Sequence, residues 1–161
     1  MRVLLAGVGT AGHVEPALNL ADVLTARDPA TEIVMLGTER GLEVRLVPER
    51  GYDLELITAV PLPRRINADL VALPGRLRAS VREVRDVMAR SRSEVLVGFG
   101  GYVAMPAYIA ARKRLPIVIH EANAKAGLAN RVGARFTPYV AQATAGALPN
   151  AITLGIPLRP A

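Results

Sequence analysis

The chain of 161 residues contains no cysteine and no tryptophan, and it has only two phenylalanines and two histidines. Without cysteine, the chain can form neither disulfide bonds nor thiolate metal sites. The two histidines, His13 and His120, are too few to build a structural zinc cluster without thiolates. We therefore expect no metal in this protein.

A long apolar segment is also lacking. The longest stretch without a charged residue covers residues 95–111, and it contains Gly98, Gly100, Gly101 and Pro106. A membrane-spanning helix needs about 20 predominantly apolar residues, so this stretch predicts a strand, a turn and a helix instead. Because 51% of the residues are hydrophobic, the chain is apolar enough to form one globular domain with a core.

The positive charge is concentrated in one region. The formal net charge is +6, and residues 64–92 carry eight arginines against three acidic residues. Codon composition explains a general excess of arginine, but the local concentration indicates an anionic surface or an anionic substrate. No aromatic stacking platform or nucleic-acid recognition motif accompanies it, so we expect no nucleic-acid partner.

Short apolar runs alternate with segments of helical periodicity. We predict strands at residues 3–6, 33–36, 54–57, 95–97, 117–119, 139–141 and 151–154. We predict helices at residues 16–27, 40–47, 68–91, 104–113 and 125–134. This alternation indicates an α/β fold with a doubly wound, Rossmann-like parallel sheet whose strands are buried on both faces. Glycine and proline in residues 155–161 predict the start of an interdomain linker, so we assign residues 1–154 to one domain.

Three glycine-bearing or polar turns each follow one of these strands. They are residues 7–13 (GVGTAGH), 98–102 (GFGGY) and 120–123 (HEAN). The carboxyl ends of parallel strands meet at one edge of the sheet, where backbone N–H groups and helix N-termini bind anionic ligands. The three turns therefore predict one site for a phosphate-bearing ligand, with the first two turns facing each other if the first and fourth strands are neighbours.

The first turn also matches the G-x-G-x-x-G fingerprint of dinucleotide-binding sites through Gly7, Gly9 and Gly12. Such a site needs an acidic residue at the tip of the second strand to bind the ribose hydroxyls. Here Glu39 follows only after the turn. A nicotinamide-dependent oxidoreductase is therefore the lesser alternative.

Three polar residues of these turns are candidates for chemistry. Near the positive end of the helix that Pro16 opens, the imidazole of His13 is expected to be neutral, and a neutral imidazole can accept a proton from an attacking hydroxyl group. His13 could equally form only a hydrogen bond across the loop. We expect a structural role for His120, whereas Asn123 either binds a sugar hydroxyl or caps the following helix.

The helix predicted at residues 68–91 is basic and amphipathic. Its apolar residues include Leu70, Leu73 and Leu77 at helical spacing, with Arg76 among its basic residues. Such a helix either lies on an anionic bilayer or packs on the core with a solvated basic face.

In the order and spacing of five motifs, the chain resembles the amino-terminal half of the MurG-type glycosyltransferases of peptidoglycan synthesis. The matching motifs are GTAGH at residues 9–13 with PAL at 16–18, LGT at 36–38, GFGGYV at 98–103, HEAN at 120–123 with GLANR at 127–131, and GIPLR at 155–159. The resemblance covers essentially the whole chain.

This resemblance implies the first of the two Rossmann-like domains of a GT-B glycosyltransferase. The implied reaction moves N-acetylglucosamine from UDP to the muramoyl C4 hydroxyl of undecaprenyl-pyrophosphoryl-muramoyl-pentapeptide (lipid I), with inversion and without a metal or cofactor. It implies His13 as the catalytic base. The implied donor contacts are Thr10, Ala11, Gly12, Asn123 and Arg159. The implied contacts to the acceptor and its pyrophosphate are Gly9, Gly100, Gly101, Tyr102 and Glu121.

By the same resemblance, Leu70, Leu73, Arg76 and Leu77 face the anionic inner leaflet, and the protein is peripheral to the cytoplasmic face of the cell membrane. Family members have a further carboxyl-terminal domain that binds most of the uridine, so we expect the present chain alone to be inactive. The family turn usually has glycine where Val8 stands. The alternative function is a non-catalytic membrane-docking subunit of a split lipid-linked glycosyltransferase.

Overall fold

The computed structural model describes residues 1–7, 9–60 and 68–159, and the side chains of its third helix from Ala72 onward. Val8 and the side chain of Leu70 therefore lie outside the described residues. The strands are β1 (Arg2–Gly7), β2 (Glu32–Gly37), β3 (Asp53–Leu56), β4 (Val95–Gly100), β5 (Ile117–Glu121), β6 (Val140–Gln142) and β7 (Ile152–Thr153). The helices are α1 (Ala11–Arg27), α2 (Glu43–Glu49), α3 (Ala68–Ser91), α4 (Ala104–Ala111) and α5 (Leu128–Gly133).

The strands form one parallel sheet with the order β3-β2-β1-β4-β5-β6-β7. The chain progresses outward from β1 to β3 on one side and from β4 to β7 on the other, which confirms the predicted doubly wound sheet. The direction changes between β1 and β4, where Gly7 pairs with Gly100. The turns that follow these two strands therefore lie side by side at the switch point, where α/β sheets bind ligands.

Alternate residues of the central strands point to opposite faces of the sheet. Leu4 belongs to a core cluster with α3 and α4, whereas Leu5 belongs to a cluster with α1 and α2. The prediction that the strands are buried on both faces is thus confirmed for the central strands. The same prediction is wrong for β3 and β7, which are edge strands with only one neighbouring strand and leave Leu56 and Ile152 exposed.

Helix α1 begins earlier than the sequence predicts. Its first residue is Ala11 rather than Pro16, because the Thr10 carbonyl accepts the N–H groups of His13 at 3.0 Å and of Val14 at 3.1 Å. Pro16 is therefore the sixth residue of α1 and not part of its first turn, and its missing N–H leaves the Gly12 carbonyl without the usual helical donor. His13 consequently lies in the first turn of α1, directly over the carboxyl edge of the sheet.

The basic helix α3 has the predicted bounds. Leu73 and Leu77 are half-buried, and Leu77 packs against the core cluster. Arg76 is exposed. In the part of the chain that the structure describes, none of the helices is both long and apolar enough to span a bilayer. Contact of α3 with a membrane surface stays a prediction.

Candidate functional site

A cavity of about 520 Å³ opens at the switch point between β1 and β4. Its lining residues come mainly from the turns after β4 and β5. They are His13, Val60, Gly100, Gly101, Tyr102, Met105, Glu121, Asn123, Lys125, Gly127, Leu128, Ala129 and Asn130. The lining combines polar groups with apolar side chains that include Val60, Met105 and Leu128. This combination suits a ligand that has both a charged group and a less polar part.

His13 is half-buried against the turn that follows β4. Its Nδ1 lies 3.1 Å from Thr10 Oγ1, and its Nε2 faces Gly100, where an added Cβ would lie 3.1 Å from it. Burial lowers the pKa of His13 below its ordinary value of 6.5, and the nearby charge of Glu121 opposes this shift. The imidazole is therefore mainly neutral at pH 7, as predicted, but burial rather than the helix end is the main cause.

The glycines of the two neighbouring turns allow close packing around His13. Gly100 and Gly101 have φ values of 98° and 87°, in the region that favours glycine. A side chain at Gly100 would also press on the imidazole. At Gly9, with φ 96°, an added Cβ would lie 3.6 Å from the ring of Tyr102, so this half-exposed ring covers the first turn.

Glu121, at the end of β5, is 1% exposed and accepts four hydrogen bonds. Its Oε1 accepts the backbone N–H and the side-chain amide of Asn123, both at 2.9 Å. Its Oε2 accepts the N–H of Gly127 at 3.1 Å and the side-chain amide of Asn130 at 2.9 Å. One buried carboxylate thus fixes both ends of residues 122–127, which we call the clamped loop.

The clamped loop corrects two predictions. Helix α5 begins at Leu128 rather than at residue 125, because Gly127 has an extended backbone (ψ 156°) and its N–H group donates to Glu121. Asn123 is not an N-cap, since Gly127 occupies that position. The geometry also favours a positioning role for Glu121 over direct contact with a pyrophosphate, because both of its oxygens are occupied and a carboxylate repels a phosphate.

Tyr108 and Asn130 form a chain of hydrogen bonds that ends at the Glu121 carboxylate. The buried Tyr108 hydroxyl donates to Asn130 Oδ1 at 2.6 Å, and Asn130 in turn donates to Glu121. Burial raises the pKa of Tyr108 far above its ordinary range, so its hydroxyl remains a donor. Gly98 and Gly133 make room for this ring, since an added Cβ at either position would overlap it.

A second buried carboxylate, Glu43, joins the turns after β1 and β2. It accepts the Thr38 N–H at 2.9 Å and the Thr38 hydroxyl at 3.0 Å, and it accepts the Gly9 N–H at 3.4 Å. Although an acidic group does stand at the tip of β2, it is fully buried and bound to the protein's own donors. It is not available to ribose hydroxyls, which disfavours the oxidoreductase alternative.

Two buried side chains hold the segment that follows β7. His120 Nε2 lies 2.7 Å from the Gly155 carbonyl, and Asn19 donates to the Pro157 carbonyl at 2.9 Å. To donate to a carbonyl, His120 must carry a proton on Nε2; its Nδ1 is buried without a partner among the described residues. The structural role predicted for His120 is confirmed. Arg159, further along this segment, is exposed.

The structure brings most of the predicted site residues together. Those that line the cavity are His13, Gly100, Gly101, Tyr102, Glu121 and Asn123. Thr10 and Gly9 lie beside it, in contact with His13 and near Tyr102 respectively. Ala11 and Gly12 are exposed on α1, and neither they nor Arg159 line the cavity. The ligand contacts assigned to these residues stay predictions.

Sequence reasoning gave no role to Lys125, Asn130 or Glu43. Lys125 carried a usable signal, since it is one of only two lysines in a chain with 18 arginines. Asn130 lies in the GLANR motif of residues 127–131, which by itself indicates no role for this side chain. For Glu43 the local sequence carries no signal, because its importance depends on contacts with Gly9, more than 30 residues away.

Other cavities fit a ligand site less well. One of about 630 Å³ lies at the opposite edge, among the strand N-termini, where the basic residues Arg2 and Arg90 pair with Glu94 and Glu55. Another of about 550 Å³ lies beside β3. Neither of these two cavities is lined by the glycine turns that follow β1 and β4. Within the described residues, no group of three potential ligands could hold a metal ion.

The family described as "Glycosyltransferase family 28 N-terminal domain" matches residues 3–142. The chain belongs to this family. It is 63% identical over 161 residues to the UDP-N-acetylglucosamine–N-acetylmuramyl-(pentapeptide) pyrophosphoryl-undecaprenol N-acetylglucosamine transferase of Acidothermus cellulolyticus, across 99% of this chain and 44% of the relative. It is 60% identical over 159 residues to the transferase of the same name from Mycobacterium sp. strain KMS, across 98% and 43%. The family 28 chain thus spans less than half the length of these relatives.

Solved structures agree with this family 28 assignment. The crystal structure of Acinetobacter baumannii MurG superposes with a TM-score of 0.82 at 29% identity, across 99% of this chain and 46% of that one. UDP-GlcNAc 2-epimerase from Neisseria meningitidis, bound to UDP-GlcNAc, gives a TM-score of 0.66 at 12% identity across 91% and 42%, a likeness that shows the fold alone. The predicted fold, the amino-terminal Rossmann-like half of a GT-B glycosyltransferase, is confirmed.

Proposed function

We propose that the chain is the acceptor-binding domain of an inverting glycosyltransferase that moves N-acetylglucosamine from UDP-GlcNAc to lipid I, giving lipid II. The named activity of the A. cellulolyticus relative, at 63% identity, supports this substrate pair. The observation that carries the proposal is a neutral imidazole, that of His13, lining a cavity between two glycine turns.

In the proposed reaction, His13 acts on the C4 hydroxyl of the muramoyl sugar. Its Nε2 accepts the hydroxyl proton while the hydroxyl oxygen bonds to the anomeric carbon of N-acetylglucosamine. The bond from that carbon to the phosphate oxygen breaks, and UDP leaves with the electron pair, which inverts the anomeric centre. For Nε2 to accept, Nδ1 must carry a proton, which it donates to Thr10 Oγ1 at 3.1 Å.

The rest of the cavity fits a sugar linked to a diphosphate. The backbone around Gly100 and Gly101 can approach phosphate oxygens closely, because neither residue has a side chain. Asn123 uses its amide N–H₂ on Glu121, which leaves its carbonyl oxygen to accept from a donor sugar hydroxyl. These contacts give the predicted acceptor and donor roles a physical basis.

The lipid acceptor also determines where the domain works. We place it at the cytoplasmic face of the cell membrane, in cell-wall synthesis, with the basic helix α3 towards the anionic inner leaflet. Donor binding then requires a second domain, which the longer relatives have room for. Thr10, Ala11, Gly12 and Arg159 are our candidates for contacts on the donor side.

The test joins this chain to the remaining part of the A. cellulolyticus relative and measures transfer from UDP-GlcNAc to a lipid I analogue. We expect turnover by the chimera and none by the 161-residue chain alone. His13→Asn should lower kcat by at least about 100-fold with little change in the KM for UDP-GlcNAc. The matched control is Glu39→Gln, an exposed carboxylate outside the cavity, which should retain activity.

Four different results would each contradict one part of the proposal. An inactive chimera beside an active parent enzyme would contradict the function, and full activity after His13→Asn would remove the base. Turnover only when a separate donor-binding protein is added would identify a docking subunit. Stabilisation of the chain against heat by NAD or NADP would favour an oxidoreductase.

A further inference from the structure

The described residues that line the cavity include few charged groups for a site that is proposed to hold a diphosphate. Among its described lining residues, only His13, Glu121 and Lys125 can be charged near neutral pH. His13 is mainly neutral because burial lowers its pKa. Glu121 is an acid, so Lys125 is the one described lining residue that brings a positive charge.

The buried acid makes this positive charge more important. The four hydrogen bonds to Glu121 stabilise a carboxylate there, and a carboxylate disfavours an anion in the same cavity. Charges interact more strongly in a partly buried site than in water. Backbone N–H groups of the glycine turns contribute only partial charges. A full positive charge close by therefore strengthens diphosphate binding beyond what these N–H groups provide.

Lys125 is positioned to provide that charge. It lies in the middle of the clamped loop, which is held at Asn123 by a hydrogen bond of 2.9 Å and at Gly127 by one of 3.1 Å, both to Glu121. The residue is exposed and lines the cavity that Gly100 also lines. The two hydrogen bonds fix the backbone from which the flexible Lys125 side chain extends, and its ammonium group offers three donors for phosphate oxygens.

We propose that Lys125 binds the diphosphate of the acceptor and makes the cavity selective for diphosphate-linked over uncharged acceptors. This inference rests on the proposed function and deepens it, by assigning the diphosphate to one side chain. It also separates two roles: Glu121 positions the clamped loop, and Lys125 touches the substrate.

The chain offers a charge-matched control in its other lysine. Lys113 lies in the turn after α4, and it is exposed and outside the cavity. We would compare Lys125→Gln and Lys113→Gln for binding of geranyl diphosphate and of geraniol to the full 161-residue chain. Loss of one charge-assisted contact predicts about 10- to 100-fold weaker diphosphate binding for Lys125→Gln. Lys125→Arg should restore part of this loss.

A second readout uses amine acetylation followed by mass spectrometry. The chain has three primary amines, at Met1, Lys113 and Lys125. With geranyl diphosphate at about ten times its Kd, acetylation of Lys125 should slow by about ten-fold, whereas the other two amines should react unchanged. Geraniol should protect none of them.

Several results would overturn the proposal. These are equal diphosphate affinities of Lys125→Gln and Lys113→Gln, no binding of geranyl diphosphate by the unmodified chain, or equal protection of both lysines. In the active chimera, Lys125→Gln should raise the KM for the lipid I analogue and leave the KM for UDP-GlcNAc unchanged. If the chimera is active and this variant is normal, Lys125 is excluded while the proposed function survives; an inactive chimera contradicts the function itself.

Discussion

Replacement of Glu121 by glutamine is predicted to loosen the site while it keeps the shape of the side chain. Glu121 accepts four hydrogen bonds in a position that is 1% exposed. In Glu121→Gln, one oxygen becomes an N–H₂ group that meets two of the four donors and satisfies neither. Loss of these charge-assisted bonds should cost about 3–5 kcal/mol of unfolding free energy. For a domain of this size, that lowers Tm by roughly 6–20 °C.

Urea unfolding followed by circular dichroism measures this cost, and thermal unfolding measures the change in Tm. The control Glu39→Gln removes an exposed carboxylate and should change the free energy by less than about 0.5 kcal/mol. Amide hydrogen exchange at Asn123 and Gly127 should become faster in the Glu121 variant. A cost below about 1 kcal/mol, with unchanged exchange, would refute the claim that this carboxylate clamps the loop.

Three further predictions concern the surroundings of the site. Gly100→Ala should cost about 1–3 kcal/mol of unfolding free energy, because the φ of 98° disfavours a side chain and the added Cβ presses on His13. The control Gly75→Ala, at a position of α3 with open space around it, should be neutral or stabilising. Equal urea midpoints of the two variants would contradict this prediction. Tyr108→Phe leaves Asn130 Oδ1 without its donor and should cost about 1–3 kcal/mol in the same assay, and no loss would remove the supporting role of the hydroxyl. Burial lowers the pKa of His13, so the unfolded chain binds a proton on this imidazole at a higher pH than the folded chain does. The free energy of unfolding should therefore decrease as the pH falls below 6.5, and His13→Asn should remove the His13 part of that decrease. An NMR titration midpoint of His13 at or above 6.5 would contradict the prediction.

The parallel sheet could be predicted well from the sequence, because the residues that indicate each strand and each turn are neighbours in the chain. Each buried strand is a short apolar run, and each glycine turn follows directly. The positions of Gly100 and His13 at one edge follow from these signals once the strand order is known. Residue pairing between Gly7 and Gly100 then confirms that β1 and β4 are neighbours.

Details of the site could not be predicted in the same way, because they depend on contacts between distant residues. Helix α5 starts late because Gly127 is extended and donates its N–H to Glu121, a residue outside the predicted helix. The neutral state of His13 was predicted from a helix end but arises from burial by neighbouring turns. The sequence assigns Lys125 no role, because its place in the cavity depends on the clamped loop that Glu121 holds.

The central claim is that the cavity at the switch point binds a diphosphate-linked sugar beside His13. An amide-resolved NMR titration of the 161-residue chain with a short-chain prenyl-diphosphoryl-muramoyl-pentapeptide tests it most directly. We predict saturable shifts at the amides of Gly100, Gly101 and Asn123 and at the imidazole of His13. Shifts confined to the opposite edge of the sheet, around Arg2, or no saturable shifts at all, would contradict the account.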